Sequence, residues 1–325
     1  MAPKAAGLAA ADQGAEPAAV RAAGPVRRRA AGAGLRRHWQ RSAPGYLFLL
    51  PSVAILLVFV AYPIAESLWM SLHNWSFFSS SHPFIGLGNY DTMLHDPRFW
   101  NALRNTVVYT AVVVPGQIGI GLGLAVALQR NTLVNKFLRS VYFFPAISAL
   151  ATMGIVWKFL LDPEIGIINH LLVSVGLPDI DFLQNTTWAL PAVIAVGIWK
   201  SAGFSMVIFL AALQDIPGTV IEAAVIDGAG PWQRFRRIIL PLLRPSMLFA
   251  AVIATITSMQ LFDQVYVMTS GGPLFHTDTL VTYLYDVGFQ EFRSGYAAAI
   301  SWVLFLLILM LSMLQLRLFR FKEID

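Results

Sequence analysis

A polar segment interrupts the apolar sequence between residues 213 and 245. It is basic, capable of forming helix, and set between two long apolar runs, so we expect its side chains to contact another molecule. Val220, Ala223, Ala224 and Asp227 recur at i, i+3, i+4 and i+7, which places them on one face of a short helix. Because Ala223 and Ala224 are small, this face predicts the close approach of a partner.

Polar residues inside the apolar runs form a second set of side chains that could bind a ligand. Lys200 lies near Phe204, and Thr257, Ser258 and Asp263 belong to an unusually polar run. Charges within membrane spans are costly and usually face a cavity or a partner. An aromatic ring beside hydroxyls and amides suits a sugar, while helix packing and snorkelling of Lys200 are the alternatives. Lys200 could also pair with Asp263 or meet an anionic group such as a phosphate.

The composition excludes several classes of protein. The 325 residues are 57% hydrophobic and 13% charged, about half the charged fraction of soluble domains, which indicates a membrane protein. The absence of cysteine excludes disulfides and thiolate metal sites. No P-loop, His-Glu-x-x-His or Gly-x-Ser-x-Gly pattern occurs, so no ATP, metal or catalytic site is predicted. The net charge of +5 does not indicate nucleic-acid binding, because the basic residues flank apolar spans.

The elements that position these residues are predicted to be membrane-spanning helices. Each apolar segment is long enough to cross a hydrocarbon core of about 30 Å, and only helices satisfy their backbone there. Residues 1–45 are rich in Ala, Gly, Pro and Arg and predict a disordered basic tail. The six predicted spans lie at about 46–70, 104–128, 138–160, 188–212, 246–268 and 296–317.

The distribution of basic residues predicts the orientation. Of the 23 Lys and Arg residues, 18 lie in the N-terminal tail, the second and fourth connections and the C-terminus. Positive residues favour the cytoplasmic side. Both termini and the polar segment are therefore expected to be cytoplasmic. On the opposite side, residues 91–103 are expected to form an amphipathic surface helix, with its apolar side chains on lipid: Met93, Leu94, Phe99 and Trp100.

The polar segment itself is predicted to form two short helices. Asp215 is expected to cap the first helix and Pro217 to occupy its first turn. Gly228 permits a left-handed stop. Pro231 then opens the second helix, which Pro241 and Pro245 are expected to end. The alternative is a loop that lies on anionic headgroups.

The segment resembles the cytoplasmic EAA loop of permease subunits in binding-protein-dependent ABC importers. The matching residues are Glu222-Ala223-Ala224, Asp227-Gly228-Ala229, Ile238, Leu240 and Pro241. Asn105-Thr106, Pro145, Trp157, Gly166-x-x-Asn169 and 265–273 resemble the carbohydrate-uptake branch, which includes glycerol-3-phosphate and oligosaccharide permeases. The resemblance covers about residues 45–322.

The resemblance implies an all-α permease domain over 46–322, of the six-helix type I ABC importer kind, in the bacterial inner membrane. Its partners would be a second permease subunit, two ATPases that hold ATP and Mg²⁺, and an extracytoplasmic solute-binding protein. This chain itself would hold no cofactor. The residues implied to contact the ATPase are Glu222, Ala223, Ala224, Asp227, Gly228, Ala229, Phe235 and Pro241. The candidate solute pathway comprises Gly197, Lys200, Ser201, Phe204, Thr257, Ser258, Leu261 and Asp263.

The sequence leaves three functions to be compared. The first is an ABC importer permease for a sugar or a glycerol-3-phosphate-like compound. An ion-coupled secondary transporter would show repeated halves and buried carboxylates, and only Asp263 is a candidate carboxylate. A membrane enzyme is not supported by any nucleophile–base pair.

Overall fold

A computed structural model describes residues 48–318. Two units make up the chain, Met1–Ala61 and Tyr62–Asp325. The described residues of the first unit are helical and end in a π-helical turn at Leu57–Ala61. The predicted tail, 1–45, lies outside the described residues.

The second unit is built from helices. In chain order they are α1 (Tyr62–Ser71), α2 (Gly88–Leu94), α3 (Pro97–Leu128), α4 (Leu133–Ile147), α5 (Leu150–Leu160), α6 (Ile167–Ser174), α7 (Ala189–Gln214), α8 (Gly218–Ile226), α9 (Pro231–Leu242), α10 (Arg244–Met259), α11 (Asp263–Met268), α12 (Leu280–Tyr285) and α13 (Ser294–Leu318). Within residues 48–318, the β-structure is one bridge between His73 and Phe84.

By length and composition, four described helices can cross a membrane: Phe48–Ser71, α3, α7 and α13. Two further pairs qualify only when each bent pair counts as one span. The axes of α4 and α5 differ by 102°, and those of α9 and α10 by 64°. The described part of the chain therefore has between four and six spans, and the predicted helical membrane class is confirmed.

Two predicted spans are broken rather than continuous. The segment 138–160 is interrupted at Ser148 and Ala149, whose backbones are extended. The segment 246–268 is interrupted after Met259, and α11 begins at Asp263. At the second break the Thr279 hydroxyl donates a hydrogen bond to the Leu261 carbonyl at 2.8 Å. A break inside a span is tolerated because such partners satisfy the freed carbonyl groups.

The predicted surface helix at 91–103 is wrong. Residues 88–94 form α2, and α3 begins at Pro97, where Asp96 accepts a hydrogen bond from the Arg98 N–H at 2.9 Å. Met93 and Phe99 are buried in a core shared with α12 and α13, while Leu94 and Trp100 are exposed. Apolar residues at these positions thus fill the protein interior, which their spacing alone did not distinguish from a lipid-facing surface.

Candidate solute cavity and coupling segment

The first helix of the polar segment, α8, ends in a Schellman motif. The Ala229 N–H donates to the Ala224 carbonyl at 2.9 Å, and the Gly228 N–H donates to the Val225 carbonyl at 3.0 Å. Gly228 has φ = +78°, so the predicted left-handed stop is confirmed. The predicted cap by Asp215 is wrong. Pro217 occupies the N-cap position of α8, and no side chain caps this helix.

The second helix, α9, begins at Pro231 as predicted, but Pro241 does not end it. A π-helical turn at Phe235–Ile239 precedes Pro241, and the Leu240 N–H donates to the Phe235 carbonyl. This shift of hydrogen-bond register accommodates a proline that has no N–H of its own. The bend comes later, after Leu242, and Pro245 lies in the first turn of α10 rather than at the end of α9.

Most of the segment faces away from the rest of its own chain. Of the predicted helix face, only Ala224 is buried, and Val220, Ala223 and Asp227 are exposed. Three of the four residues of this face are therefore accessible to another molecule, and the predicted approach of a partner stays a prediction. The other residues implied to contact an ATPase are also accessible: Glu222 and Gly228 are exposed, and Ala229, Phe235 and Pro241 are partly buried.

A groove of about 830 Å³ lies between this segment and α3. On one side are Gly119 and Gly123, and a Cβ at either glycine would meet no atom within 4 Å. On the other side are Trp232 and Phe235, whose rings stack at 5.7 Å. Trp232 is 70% exposed, so the segment presents apolar as well as charged groups.

A cavity of about 290 Å³ collects seven of the eight candidate pathway residues. It lies between α7, α10 and the broken pair α4–α5. Ser258 and Leu261 are buried, while Lys200 and Ser201 are partly buried. The residues brought together are Gly197, Lys200, Ser201, Phe204, Thr257, Ser258 and Leu261.

Asp263 does not line this cavity, although it was predicted in the pathway. It lies exposed in the first turn of α11. The suggested pairing with Lys200 is not formed, because the Lys200 Nζ instead donates to the Ala146 carbonyl at 3.5 Å. Gly197 has a packing role beside its place on the wall, since a Cβ there would lie 2.2 Å from the Tyr109 hydroxyl.

Further polar groups of the wall were not assigned to the pathway from the sequence. Tyr109, Gln117 and Ser205 line the cavity with Gln264. The Gln264 amide donates to the Val193 carbonyl at 2.6 Å, and its oxygen accepts from the Tyr109 hydroxyl at 3.4 Å. Tyr109 and Gln117 are eight residues apart in an apolar helix, and this helical spacing of polar groups was the available signal.

A second polar cluster joins the start of α3 to the residues around α12. The Arg98 Nε donates to Asp278 at 2.8 Å, and its Nη2 pairs with Asp286. The guanidinium lies 4.2 Å from the centre of the Phe275 ring. Asp278 is fully buried, and its Oδ1 has no hydrogen-bond partner within the described residues. Sequence reasoning did not find this cluster.

Two carboxyl groups outside the spans, Asp278 of this cluster and Asp96 before α3, have pKa values shifted in opposite directions. Burial raises the pKa of Asp278 to about 6, although Arg98 opposes this shift. Burial also acts to raise the pKa of Asp96, but hydrogen bonds from Tyr283, Tyr296 and the backbone outweigh it and lower this pKa. Neither is a metal site, because no three His, Asp or Glu residues between 48 and 318 converge on one point.

Residues 119–322 match the family described as "Binding-protein-dependent transport system inner membrane component". The chain belongs to this family. It is thus a multi-pass protein of the inner membrane, and the predicted membership of the ABC importer permeases is confirmed.

Named relatives of this permease cover most of both chains. It is 38% identical over 281 residues to "Probable ABC transporter permease protein YurN" of Bacillus subtilis (strain 168), spanning 85% of this chain and 95% of the relative. It is 38% identical to "Lactose transport system permease protein LacF" of Rhizobium radiobacter, with coverages of 83% and 92%. It is 35% identical to "sn-glycerol-3-phosphate transport system permease protein UgpA" of Yersinia enterocolitica serotype O:8 / biotype 1B (strain NCTC 13174 / 8081), with coverages of 86% and 93%.

The permease also shares its fold with solved structures. A chain of a bacterial ABC transporter involved in the import of the acidic polysaccharide alginate superposes with a TM-score of 0.78 at 24% identity, covering 90% of this chain and all of that one. A chain of a bacterial alginate transporter in complex with its pentasaccharide-bound periplasmic protein gives 0.76 at 24% identity, with coverages of 86% and 94%. The likeness supports the helical architecture described above.

Proposed function

We propose that this permease subunit imports a sugar or a related polyhydroxylated solute, which an extracytoplasmic binding protein delivers. The observation that carries this proposal is the cavity between α7, α10 and the α4–α5 break. Its wall offers hydroxyl groups from Ser201, Thr257 and Ser258. Hydroxyl groups both donate and accept hydrogen bonds, as recognition of a sugar requires.

An aromatic ring completes the chemistry expected of such a site. Phe204 lines the cavity and is 46% exposed, so its face is open to a ligand. Ring stacking excludes water from an apolar face of a sugar, while the hydroxyl and amide groups orient its polar edge. Relatives named for lactose and glycerol-3-phosphate transport support a small polar solute.

Uptake of glycerol-3-phosphate or a glycerophosphodiester is the second candidate. Lys200 favours it, because it is the one cationic residue among those that line the described cavity. An ion-coupled secondary transporter has less support. Such transporters use buried carboxylates, and the described cavity is lined by neither Asp nor Glu.

The segment 213–245 is proposed to bind a partner ATPase, with ATP and Mg²⁺ held on that partner rather than on this chain. Between residues 48 and 318, no ion pair involves this segment. Glu222 and Asp227 are exposed, and so are the apolar Ile226 and Trp232 of the same segment. Exposed apolar side chains rimmed by unpaired charges are typical of a protein interface. ATP-driven closure would then move α8 and α9 as a rigid pair.

The complete assembly in this proposal contains a second permease subunit, two ATPases and the binding protein. Both termini and the coupling segment would face the cytoplasm, in keeping with the basic residues around them. The end of α3 that carries Arg98 would then face the binding protein's side of the membrane. The chain would itself perform no catalysis.

Reconstitution of this complete assembly in proteoliposomes tests the proposal. Uptake of radiolabelled lactose and of sn-glycerol-3-phosphate is measured with ATP inside the vesicles. We expect ATP-dependent uptake of one solute, and Thr257→Val with Ser258→Ala to raise its apparent KM about ten-fold or more. Uptake driven by an ion gradient without ATP would contradict the importer mechanism. An unchanged KM in the double variant would contradict the cavity assignment.

A further inference from the structure

We propose that Lys200 is a positioning residue that holds the broken helix α4–α5 against the cavity, rather than a counter-ion for the solute. The inference rests on the proposed function in one respect, namely that this cavity receives the solute. In this proposal the positive charge of Lys200 interacts with the backbone of the cavity wall and not with the solute. Recognition of the solute is then left to uncharged groups.

The break between α4 and α5 leaves carbonyl groups at the end of α4 that need hydrogen-bond donors from elsewhere. The last carbonyl groups of a helix have no partner within that helix, and none is supplied by lipid. The Ser148 hydroxyl donates to the Phe144 carbonyl at 3.0 Å, and the Ser148 N–H donates to the Pro145 carbonyl at 3.3 Å. The Lys200 Nζ donates to the next one, that of Ala146, at 3.5 Å. A single serine and a lysine from another helix thus satisfy three successive carbonyl groups.

The backbone geometry brings Lys200 to this position. Gly203 lies three residues further along α7, where a Cβ would be 2.1 Å from the Tyr142 carbonyl oxygen. The backbones of α7 and α4 are therefore in direct contact one turn away from Lys200. Because the two helices lie so close, the Lys200 side chain reaches the carboxyl end of α4, where the helix dipole favours a positive charge.

The same contact sets the shape of the cavity. Ala146 and Leu150 stand on either side of the break, and both line the cavity together with Lys200. Loss of the Lys200 contact would release the end of α4 and shift this wall. The expected consequence is a loss of affinity for any solute, whatever its charge.

Hydrogen–deuterium exchange of the complete transporter measures the positioning directly. In Lys200→Met, we expect amides of residues 144–152 to exchange about ten-fold faster, because a charge-assisted hydrogen bond at the break is lost. Lys200→Arg should restore slow exchange, since it retains a charged donor. Lys158→Met is the matched control, because Lys158 is exposed in the last turn of α5 and lies away from this cavity. It should leave the exchange of residues 144–152 unchanged.

Uptake by the same variants separates positioning from charge recognition. With lactose and sn-glycerol-3-phosphate as probes, Lys200→Met should raise the apparent KM of whichever is transported, and Lys200→Arg should restore it. Unchanged exchange together with a KM increase confined to sn-glycerol-3-phosphate would overturn the proposal and make Lys200 a phosphate ligand. Unchanged exchange with unchanged KM would overturn it as well. If the wild-type transporter moves neither probe and exchange still accelerates in Lys200→Met, the positioning role stands and the proposed solute class fails.

Discussion

The coupling segment, 213–245, and the cluster around Arg98 both carry several charges, but their surroundings are opposite. Arg98 contacts Asp278 and Asp286 of its own chain and packs on an aromatic ring. In the coupling segment, Glu222 and Asp227 are exposed and form no ion pair with any described residue. The charges of the cluster thus find counter-charges within this chain, whereas we propose that those of the segment contact a partner.

In our proposal, the Arg98 cluster stabilises the fold of this chain and the coupling segment binds another subunit. A buried charge with its counter-charges in the same chain predicts a loss of stability on substitution. An exposed charge without a counter-charge predicts little change in stability, and a loss of binding if a partner uses it. Substitutions in the two regions should therefore affect different measurements.

Glu222→Lys should have the largest effect, and it should act on assembly. Charge reversal at a docked interface costs several kcal/mol, so we expect ATP-driven uptake to fall by about 100-fold or more with normal membrane levels of the protein. Co-purification of the ATPase should fall in parallel. Glu164→Lys reverses another exposed carboxylate outside the segment and should retain the ATPase. Normal uptake by Glu222→Lys would remove the contrast between the two regions.

Arg98→Met should have the largest effect on stability. It leaves Asp278 and Asp286 without their shared cation, which we expect to cost about 3 kcal/mol. Thermal unfolding of the purified protein would measure the loss, and the loss should be smaller near pH 5, where Asp278 can take up a proton.

Arg293→Met is the matched control for Arg98→Met. Its side chain is 50% exposed and lies 3.6 Å from Glu291, so removal should cost less than about 1 kcal/mol. Equal losses of stability in Arg98→Met and Arg293→Met would show that burial does not make the Arg98 ion pairs more stabilising than the exposed pair of Arg293.

Gly228→Ala should have a smaller, local effect within the coupling segment. A Cβ at Gly228 would meet no atom within 4 Å, so the cost comes from its φ of +78° alone, about 1 kcal/mol. Hydrogen exchange of residues 222–229 should accelerate about five-fold. Gly230 also has open space around it but a φ of −67°, so Gly230→Ala should leave the exchange rates unchanged.

The pH dependence of stability offers a further test of the cluster. The pKa of Asp278 rises from 3.8 to about 6 on folding. The folded state therefore binds a proton more tightly, and this contribution to stability is present below pH 3.8 and lost as pH rises through about 6. Thermal unfolding between pH 4 and pH 7 should show this decline in the wild type. An equal decline in Asp278→Asn would assign it to another group.

Much of the helical architecture was predictable from the sequence, because long apolar segments and glycine stops act locally. Gly228 ends α8 as predicted, and seven cavity residues follow from their positions beside the coupling segment. The break at Ser148 was not predictable. One carbonyl group at this break, that of Ala146, accepts a hydrogen bond from Lys200, which is 54 residues away.

The Arg98 cluster escaped prediction for the same reason. Arg98 and Asp278 are 180 residues apart, and nothing in their local sequences indicates that they meet. Likewise, the spacing of Met93 and Phe99 suits a lipid-facing helix as well as a buried one, and only the position of α13 decides between them.

Site-specific photo-crosslinking from position 222 tests the central claim most directly. A photoreactive residue is placed at Glu222 in one protein and at Glu164 in another, and both are irradiated in native membranes. We predict that position 222 captures a P-loop ATP-binding subunit, identified by mass spectrometry, and that position 164 does not. Efficient crosslinking from position 222 only to lipid, with no ATP-binding subunit captured, would contradict the assignment of residues 213–245 as the coupling segment.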